Sequence, residues 1–296
     1  MVGPRWSDAV KISGFTFCRD AVRFDYPVEE SIRSLLPLVD EYVVAVGTCD
    51  DGTLELVRSI GDPKLKIVES VWDESLRKDG LVYAQQTNLA LSHCHGDWAF
   101  YLQADEVVHE DDLARVRATL ERYHDDHRVL ALMCRYLHFR GDYWSTDPWM
   151  YRKEVRVIRH NGRVRSQGDA TGFASDATAF SRNIRSEPSS WRWSGARIFH
   201  YGYVKHPRTL MAKIVQQAKV YDPEVAVGFR KLRHRFDPAV SEYPLDERYG
   251  ILKEYRGSHP AVMRNRIASF RRLAPRRNRW LNPRFYREVF QHGFKG

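Results

Sequence analysis

His95-Gly96-Asp97 is a polar turn, and the apolar run that follows it, Trp98 to Leu102, ends on Gln103, Ala104, Asp105 and Glu106. A strand of this kind crosses a core and delivers acids to its carboxyl end, and in an open α/β sheet that is where ligands bind. Carboxylates so placed hold a hard divalent cation, and the cation holds phosphates. The plain alternative is a strand that ends in a solvated acidic turn. A second concentration of polar chemistry is His93-Cys94-His95, but adjacent residues cannot all point at one ion and there is no CxxC partner, so the pattern does not read as zinc. Cys18, Cys49, Cys94 and Cys134 stand apart in apolar contexts and read as reduced core residues, not a disulfide framework.

The elements that must position these acids alternate at the pace of a βαβ fold. Strands are expected at Lys11–Phe17, Glu41–Val46, Leu65–Glu69 and Trp98–Gln103. Helices are expected at Val28–Val39, Thr53–Ile60, Gly80–His93 and Asp111–Tyr123. Such alternation predicts a mostly parallel sheet with helices on both sides. After Val129 the pattern loosens: Val129–His138 and Glu154–His160 read as strands of a more irregular lobe, with a Trp-rich loop, Tyr143–Tyr151, between them. Thr209–Tyr221 reads as a helix, and helical pieces recur at Val262–Leu273 and Arg284–Gln291 in a basic, aromatic-rich tail. The expected organisation is a first half over 1–128, a second half over 129–237 and an extension over 238–296.

The 296 residues carry a net charge of +9, with 43% hydrophobic and 12% aromatic residues, the composition of a globular protein with a sizeable core. The charge is uneven: from His200 onward roughly 21 Lys and Arg face roughly 8 Asp and Glu, so the preceding two-thirds is slightly acidic. A basic face of this kind suits an anionic partner, whether lipid, nucleic acid or a phosphorylated substrate. The start, with Pro4, Arg5 and Asp8, does not read as a signal peptide, and no apolar run approaches a membrane span. A cytoplasmic protein is expected, peripheral at most to the inner membrane face.

Four blocks, in order between Lys11 and Pro207, resemble family 2 (GT-A type) glycosyltransferases. Phe17-Cys18-Arg19-Asp20-Ala21 follows the first strand, where the family has an RN or NE turn beside the nucleotide. Val46-Gly47-Thr48-Cys49-Asp50-Asp51-Gly52-Thr53 stands where the family has DGSTDGT. Asn88 through Asp105 is similar to the family's Asn-bearing helix, Gly-Asp turn, strand and DxD. Phe199-His200-Tyr201-Gly202-Tyr203 resembles a C-terminal His element that supplies a metal ligand in many members. Two departures stand out: the first DxD acid is Gln103, and the leading Asp of the second block is Gly47.

The resemblance implies a GT-A type, Rossmann-like mostly parallel sheet, an irregular acceptor-side lobe and a basic helical C-terminal tail. It implies a metal-dependent, inverting transfer of sugar from a nucleotide-sugar donor to a hydroxyl of a glycan or glycolipid acceptor, such as a surface-polysaccharide precursor. Asp105 and His200 would hold Mn²⁺ or Mg²⁺, which offsets charge on the leaving diphosphate; His favours Mn²⁺. Gln103 would bond a ribose hydroxyl. Phe17, Arg19, Asp50, Asp51 and Asn88 would line the donor, with base recognition left to Asp50, Asp51 or backbone.

Inversion needs a general base. Of Asp147, Asp169, Asp176 and Glu187, Asp169 is favoured, because Gln167 to Gly172 is a glycine-flanked loop after a strand; a plain turn residue is the alternative. Trp144 and Glu187 are candidate acceptor contacts, Trp149 reads as packing, and Lys205 and Arg208 could neutralise diphosphate. His200 may be set against the bland reading of a satisfied core histidine. The basic tail suits an anionic membrane surface. The alternatives are a nucleic-acid or modified-base acceptor and a non-catalytic nucleotide-sugar binder.

Overall fold

A computed structural model describes residues 10–76, 78–175, 182–218, 220, 251–270, 280 and 283–293. The β-branched segment forms β2 (Glu41–Gly47), buried along nearly all its length, as a strand covered on both faces must be. It lies between β1 (Ile12–Cys18) and β3 (Leu65–Ser70), both parallel to it. On the other side of β1, β4 (Trp98–Tyr101) also pairs parallel. The carboxyl ends of β1, β2 and β4 therefore face the same way, as the alternating sequence pattern requires.

The sheet then continues, ten strands in all. β8 (Lys153–Arg159) runs antiparallel between β4 and β6 (Ala131–Arg140). β12 (Trp191–Tyr203) runs parallel to β6, and β5 (Glu106–Val108) pairs antiparallel with β12. Two short strands, β7 (Ser145–Thr146) and β13 (Lys253–Glu254), complete one edge. Strands β5, β7 and β8 oppose the others, so the sheet is mixed but mostly parallel in direction. β9 (Val164–Gln167), β10 (Gly172–Ser175) and β11 (Arg182–Asn183) form a separate small antiparallel sheet.

Helices cover both faces. Val28, Ile32 and Leu35 of α1 (Val28–Leu35) are buried on one face together with Val57 of α2 (Thr53–Ser59) and Leu113, Val116 and Leu120 of α4 (Glu110–Arg122). Acids in the first turns of α1 (Glu29, Glu30) and α4 (Glu110, Asp111, Asp112) sit at the positive helix ends. On the other face, Ala90 and Leu91 of α3 (Leu81–Ser92) pack with Phe15, Tyr101 and Phe173. A third cluster joins Phe139, Tyr143, Phe199 and Tyr201 to Met263 from the C-terminal region.

The structure departs from the sequence reading at the acid pair. β4 ends at Tyr101, and a turn closed by Glu106 N–H to the Gln103 carbonyl (2.9 Å) puts Asp105 between β4 and β5. The two acids therefore part company. Glu106 starts β5 and is buried against Arg156, whose Nε and Nη2 donate to its two oxygens at 2.8 and 2.9 Å; the Tyr136 hydroxyl donates to it at 2.7 Å. The helix expected at Thr209–Tyr221 is α5 (Pro207–Ala218). The piece expected at Val262–Leu273 is a 3₁₀ turn, Ala261–Met263, leading into α6 (Arg264–Ala268); the last piece is α7 (Pro283–His292). Asp176 and the whole of the basic run at 271–279 lie outside the described residues.

Candidate active site

Asp105 is delivered by the turn after β4, His200 by β12, and the two are buried side by side, with His200 Nε2 3.7 Å from Asp105 Oδ1. Their backbones are locked together, because the Tyr201 N–H donates to the Asp105 carbonyl at 2.8 Å. Gly202 leaves the room this pairing needs: a Cβ there would press on the Asp105 carboxylate and come within 2.9 Å of His200 Nε2. The sequence placed these two residues in one site, and the structure brings them together.

Two residues that sequence reasoning missed complete the arrangement. Lys213 of α5 donates to Asp105 Oδ2 at 3.0 Å and to the Gly202 carbonyl at 3.0 Å, and it lies over the Tyr26 ring at 4.8 Å. The ammonium holds the Asp105 carboxyl well below the usual carboxylate range despite burial. His138 of β6 is 3.1 Å from His200, Nδ1 to Nδ1, and its Nε2 is 2.7 Å from the Tyr151 carbonyl. Burial pushes both imidazoles down, His138 to about 3 and His200 to about 4, so both are neutral at neutral pH.

These donors fit a divalent cation. An anionic oxygen and a neutral imidazole nitrogen face each other across a gap that one cation bound to both would span, while Lys213 occupies only the other carboxylate oxygen. Among the described residues, the one group of three close potential ligands is elsewhere, at Asp20, Cys49 and Asp51.

Gln103 stands two residues before Asp105, with its Nε2 3.5 Å from the Ala170 carbonyl. That contact ties the end of β4 to the loop that carries Asp169. Asp169 is half-buried and its Oδ1 accepts from the Thr171 N–H at 3.0 Å, so it builds the turn that carries Ala170. The same loop is held from behind, because Arg156 donates to the Thr171 carbonyl at 2.7 Å. Asp147 is buried beside Arg140, 3.2 Å away.

At the carboxyl end of β1, Phe17 stacks on Tyr83 with centroids 5.8 Å apart, and both meet the Trp72 ring edge-on. Arg19 lies over Trp72 at 5.2 Å and reaches Glu74 at 3.2 Å. The space of the missing family acid is taken: a Cβ on Gly47 would collide with the Trp72 indole. Trp72 comes from the loop after β3, in no motif, so only its aromatic character could have drawn attention to it.

Several candidate residues have other partners in the structure. The Asn88 amide donates to the Ser166 carbonyl at 3.0 Å and accepts from the Ser166 N–H at 2.9 Å, clamping α3 to β9. Asp51 Oδ1 accepts from the Thr53 N–H and hydroxyl in its own turn, and its Oδ2 accepts from the Arg23 N–H of the segment after β1. Asp50 is 87% exposed and paired with Arg23. Glu187 precedes β12 at the end remote from His200; at about 3.3 Å per strand residue that is a separation of roughly 20 Å or more. Trp144 packs partly buried on the third cluster, edge-on to Tyr143. Lys205 is buried, donating to the Phe24 and Asp25 carbonyls at 2.7 and 3.2 Å, whereas Arg208 is exposed.

The mostly parallel mixed sheet with helices on both faces is the α/β, GT-A type arrangement that the family resemblance implied. Residues 27–187 match Glycosyl transferase family 2, and the chain belongs to that family. It is 23% identical over 231 residues to an uncharacterized glycosyltransferase of Rickettsia typhi, covering 76% of this chain and 70% of that one. Among solved structures it is similar to S. aureus TarS residues 1–349, at 12% identity and a TM-score of 0.40, covering 71% of this chain and 65% of that one. It is also similar to glucosyl-3-phosphoglycerate synthase from Mycobacterium tuberculosis in complex with Mn²⁺, UDP and phosphoglyceric acid, at 14% identity and a TM-score of 0.31, covering 47% and 49%.

Proposed function

We propose that the chain transfers a sugar from a nucleotide-sugar donor to a hydroxyl acceptor, with inversion at the anomeric carbon. The observation that carries this reading is the buried pair of Asp105, in the turn after β4, and His200, on β12, whose Oδ1 and Nε2 stand 3.7 Å apart. Membership of family 2 supports the donor class. Asp105 and His200 would hold a divalent ion, Mn²⁺ in preference to Mg²⁺ because one donor is imidazole. Such an ion, when bound, offsets charge on the departing diphosphate.

The chain's own residues do the rest. Gln103 offers its amide to the donor ribose, and the Phe17, Trp72 and Tyr83 rings form an apolar wall for the base. Lys213 keeps Asp105 ionised and oriented. Asp169, tethered beside Gln103, takes the proton from the acceptor hydroxyl as that oxygen attacks, on the side opposite the leaving group.

The acceptor we propose is a glycolipid or surface-polysaccharide precursor met at an anionic membrane surface. Trp280, Tyr286 and Phe290 are exposed on and beside α7, Phe290 at 92%, next to exposed Arg287. No helix among the described residues is long and apolar enough to cross a membrane, so contact would be at the headgroup boundary.

A thermal-shift panel of UDP-, GDP-, CMP- and dTDP-sugars, with and without Mn²⁺, tests the donor reading. A ligand that binds only the folded chain raises its melting temperature with the logarithm of concentration. One nucleotide class should do so, and more with Mn²⁺; a flat panel would contradict the reading.

A further inference from the structure

We infer that His138 is a positioning residue for His200: the chain from His200 through His138 to the Tyr151 carbonyl fixes which nitrogen of His200 faces Asp105 bare. The inference rests, for its consequence, on the reading of Asp105 and His200 as cation ligands.

The argument is one of donors and acceptors. A carbonyl oxygen only accepts, so His138 Nε2, 2.7 Å from the Tyr151 carbonyl, carries its hydrogen. A neutral imidazole has one N–H, so His138 Nδ1 is then an acceptor. His200 Nδ1, 3.1 Å from it, must be the donor. The single N–H of His200 is thereby committed inward, and its Nε2 presents a lone pair toward Asp105.

The reversed chain would need a protonated Nε2 on His200 aimed at the carboxylate. The 3.7 Å separation from Asp105 Oδ1 is too long for that hydrogen bond. Nothing on the neighbouring elements favours the reversal either. Asp105 takes its hydrogen bond from Lys213 instead, and Glu106 is taken by Arg156 and the Tyr136 hydroxyl.

The ring of His138 is also held in place. Tyr136 stacks on it with centroids 5.2 Å apart and 21° between planes, and Tyr151 meets it edge-on at 4.5 Å. A histidine whose tautomer is set by a second hydrogen bond is a better cation ligand, because the lone pair is present and aimed before the ion arrives. His138 thus acts through His200 and touches neither ion nor donor.

The test begins without metal. In ¹⁵N-labelled, metal-free protein, long-range ¹H–¹⁵N spectra should show His138 as the Nε2–H tautomer and His200 as the Nδ1–H tautomer. In His138→Phe, which keeps a ring between Tyr136 and Tyr151 but has no acceptor, His200 should lose its Nδ1–H preference. His138→Asn, whose side-chain oxygen lies near the former Nδ1, should restore it and serves if the Phe variant folds poorly. Mn²⁺ affinity measured by calorimetry should fall about 10–100-fold in His138→Phe and recover in the Asn variant. A parent His200 in the Nε2–H form, or a His200 tautomer unmoved by His138→Phe, would overturn the inference. The expected tautomers with no Mn²⁺ binding by the parent would uphold the His138 relay and remove the metal reading alone.

Discussion

Lys205 is buried with two carbonyls and the Tyr26 ring as its partners and no carboxylate hydrogen bond among the described residues, and that has a measurable consequence. Burial and the neighbouring Lys213 push its ammonium from 10.5 down to about 7. Between those values the unfolded chain holds a proton that the folded chain has given up, so this residue's contribution to stability is present above 10.5 and is lost as pH falls toward 7. The melting temperature of the parent should therefore gain on that of Lys205→Met as pH is raised from about 7 to about 10. A difference that stays constant over that range would contradict the assignment. Asp169 carries a separate expectation. Asp169→Asn keeps the turn that Oδ1 builds with the Thr171 N–H but cannot accept a proton, so turnover should fall about 10²–10⁴-fold with donor binding nearly unchanged. Near-normal turnover would move the base to another acid. At this scale the sequence was readable only in part. Asp105 and His200 drew notice through the blocks that resemble the family, although Asp105 lies in a turn and His200 on a strand that periodicity did not predict. His138, Lys213 and Trp72 were not, since each is placed by long-range packing that no local spacing encodes.

Among elements, β12 was the least legible and matters most. Its Gly195 and Gly202 and its alternating Trp and Arg break any simple strand pattern, and its pairing with β6 shifts register twice. Those irregularities are what let one strand follow β6 and still return His200 to the β4 turn. By contrast, β1 to β4 and their helices appear within a few residues of where their apolar runs and spacing place them, because those apolar residues go into the core. The acid pair misled because alternation along a strand sends neighbours to opposite faces, and here a turn adds to the divergence. Glu106 therefore reads as the keystone between β5, β8 and the Asp169 loop. Arg156→Met would leave its charge buried without a counter-charge, held, among the described residues, only by the Tyr136 hydroxyl and the Gln103 N–H, and should cost about 3–5 kcal/mol in denaturant unfolding. The double variant Arg156→Met with Glu106→Gln should recover much of that loss. A single variant as stable as the parent would show that this pair does not brace the site.

For the whole molecule, the C-terminal region has two roles that composition blended into one basic tail. Part of it packs back: Phe270 meets Tyr143 at 5.1 Å, Arg266 pairs with Asp25 and Glu30, and Phe285 is buried against Trp149. Arg266 is thereby committed to holding the fold together, against the expectation that the Arg residues from 264 onward all serve a surface. Phe290, Tyr286 and Trp280 remain outside. Phe285→Ala should then cost about 3–5 kcal/mol of stability. Phe290→Ala should leave melting within about 0.5 kcal/mol of the parent yet weaken salt-sensitive binding to anionic liposomes. Should the intact protein ignore such liposomes at low salt and retard nucleic acid instead, the acceptor reading passes to nucleic acid.

The central claim is that Asp105 and His200 form the cation-dependent end of a nucleotide-sugar site. Calorimetry of the nucleotide-sugar selected by the thermal-shift panel, with Mn²⁺ and with a chelator, tests it in the parent and in Asp105→Ala. The parent should bind with Mn²⁺ and lose most of its affinity in the chelator, while the variant, still folded by circular dichroism, should bind weakly in both. Metal-dependent binding that survives unchanged in Asp105→Ala would contradict the account.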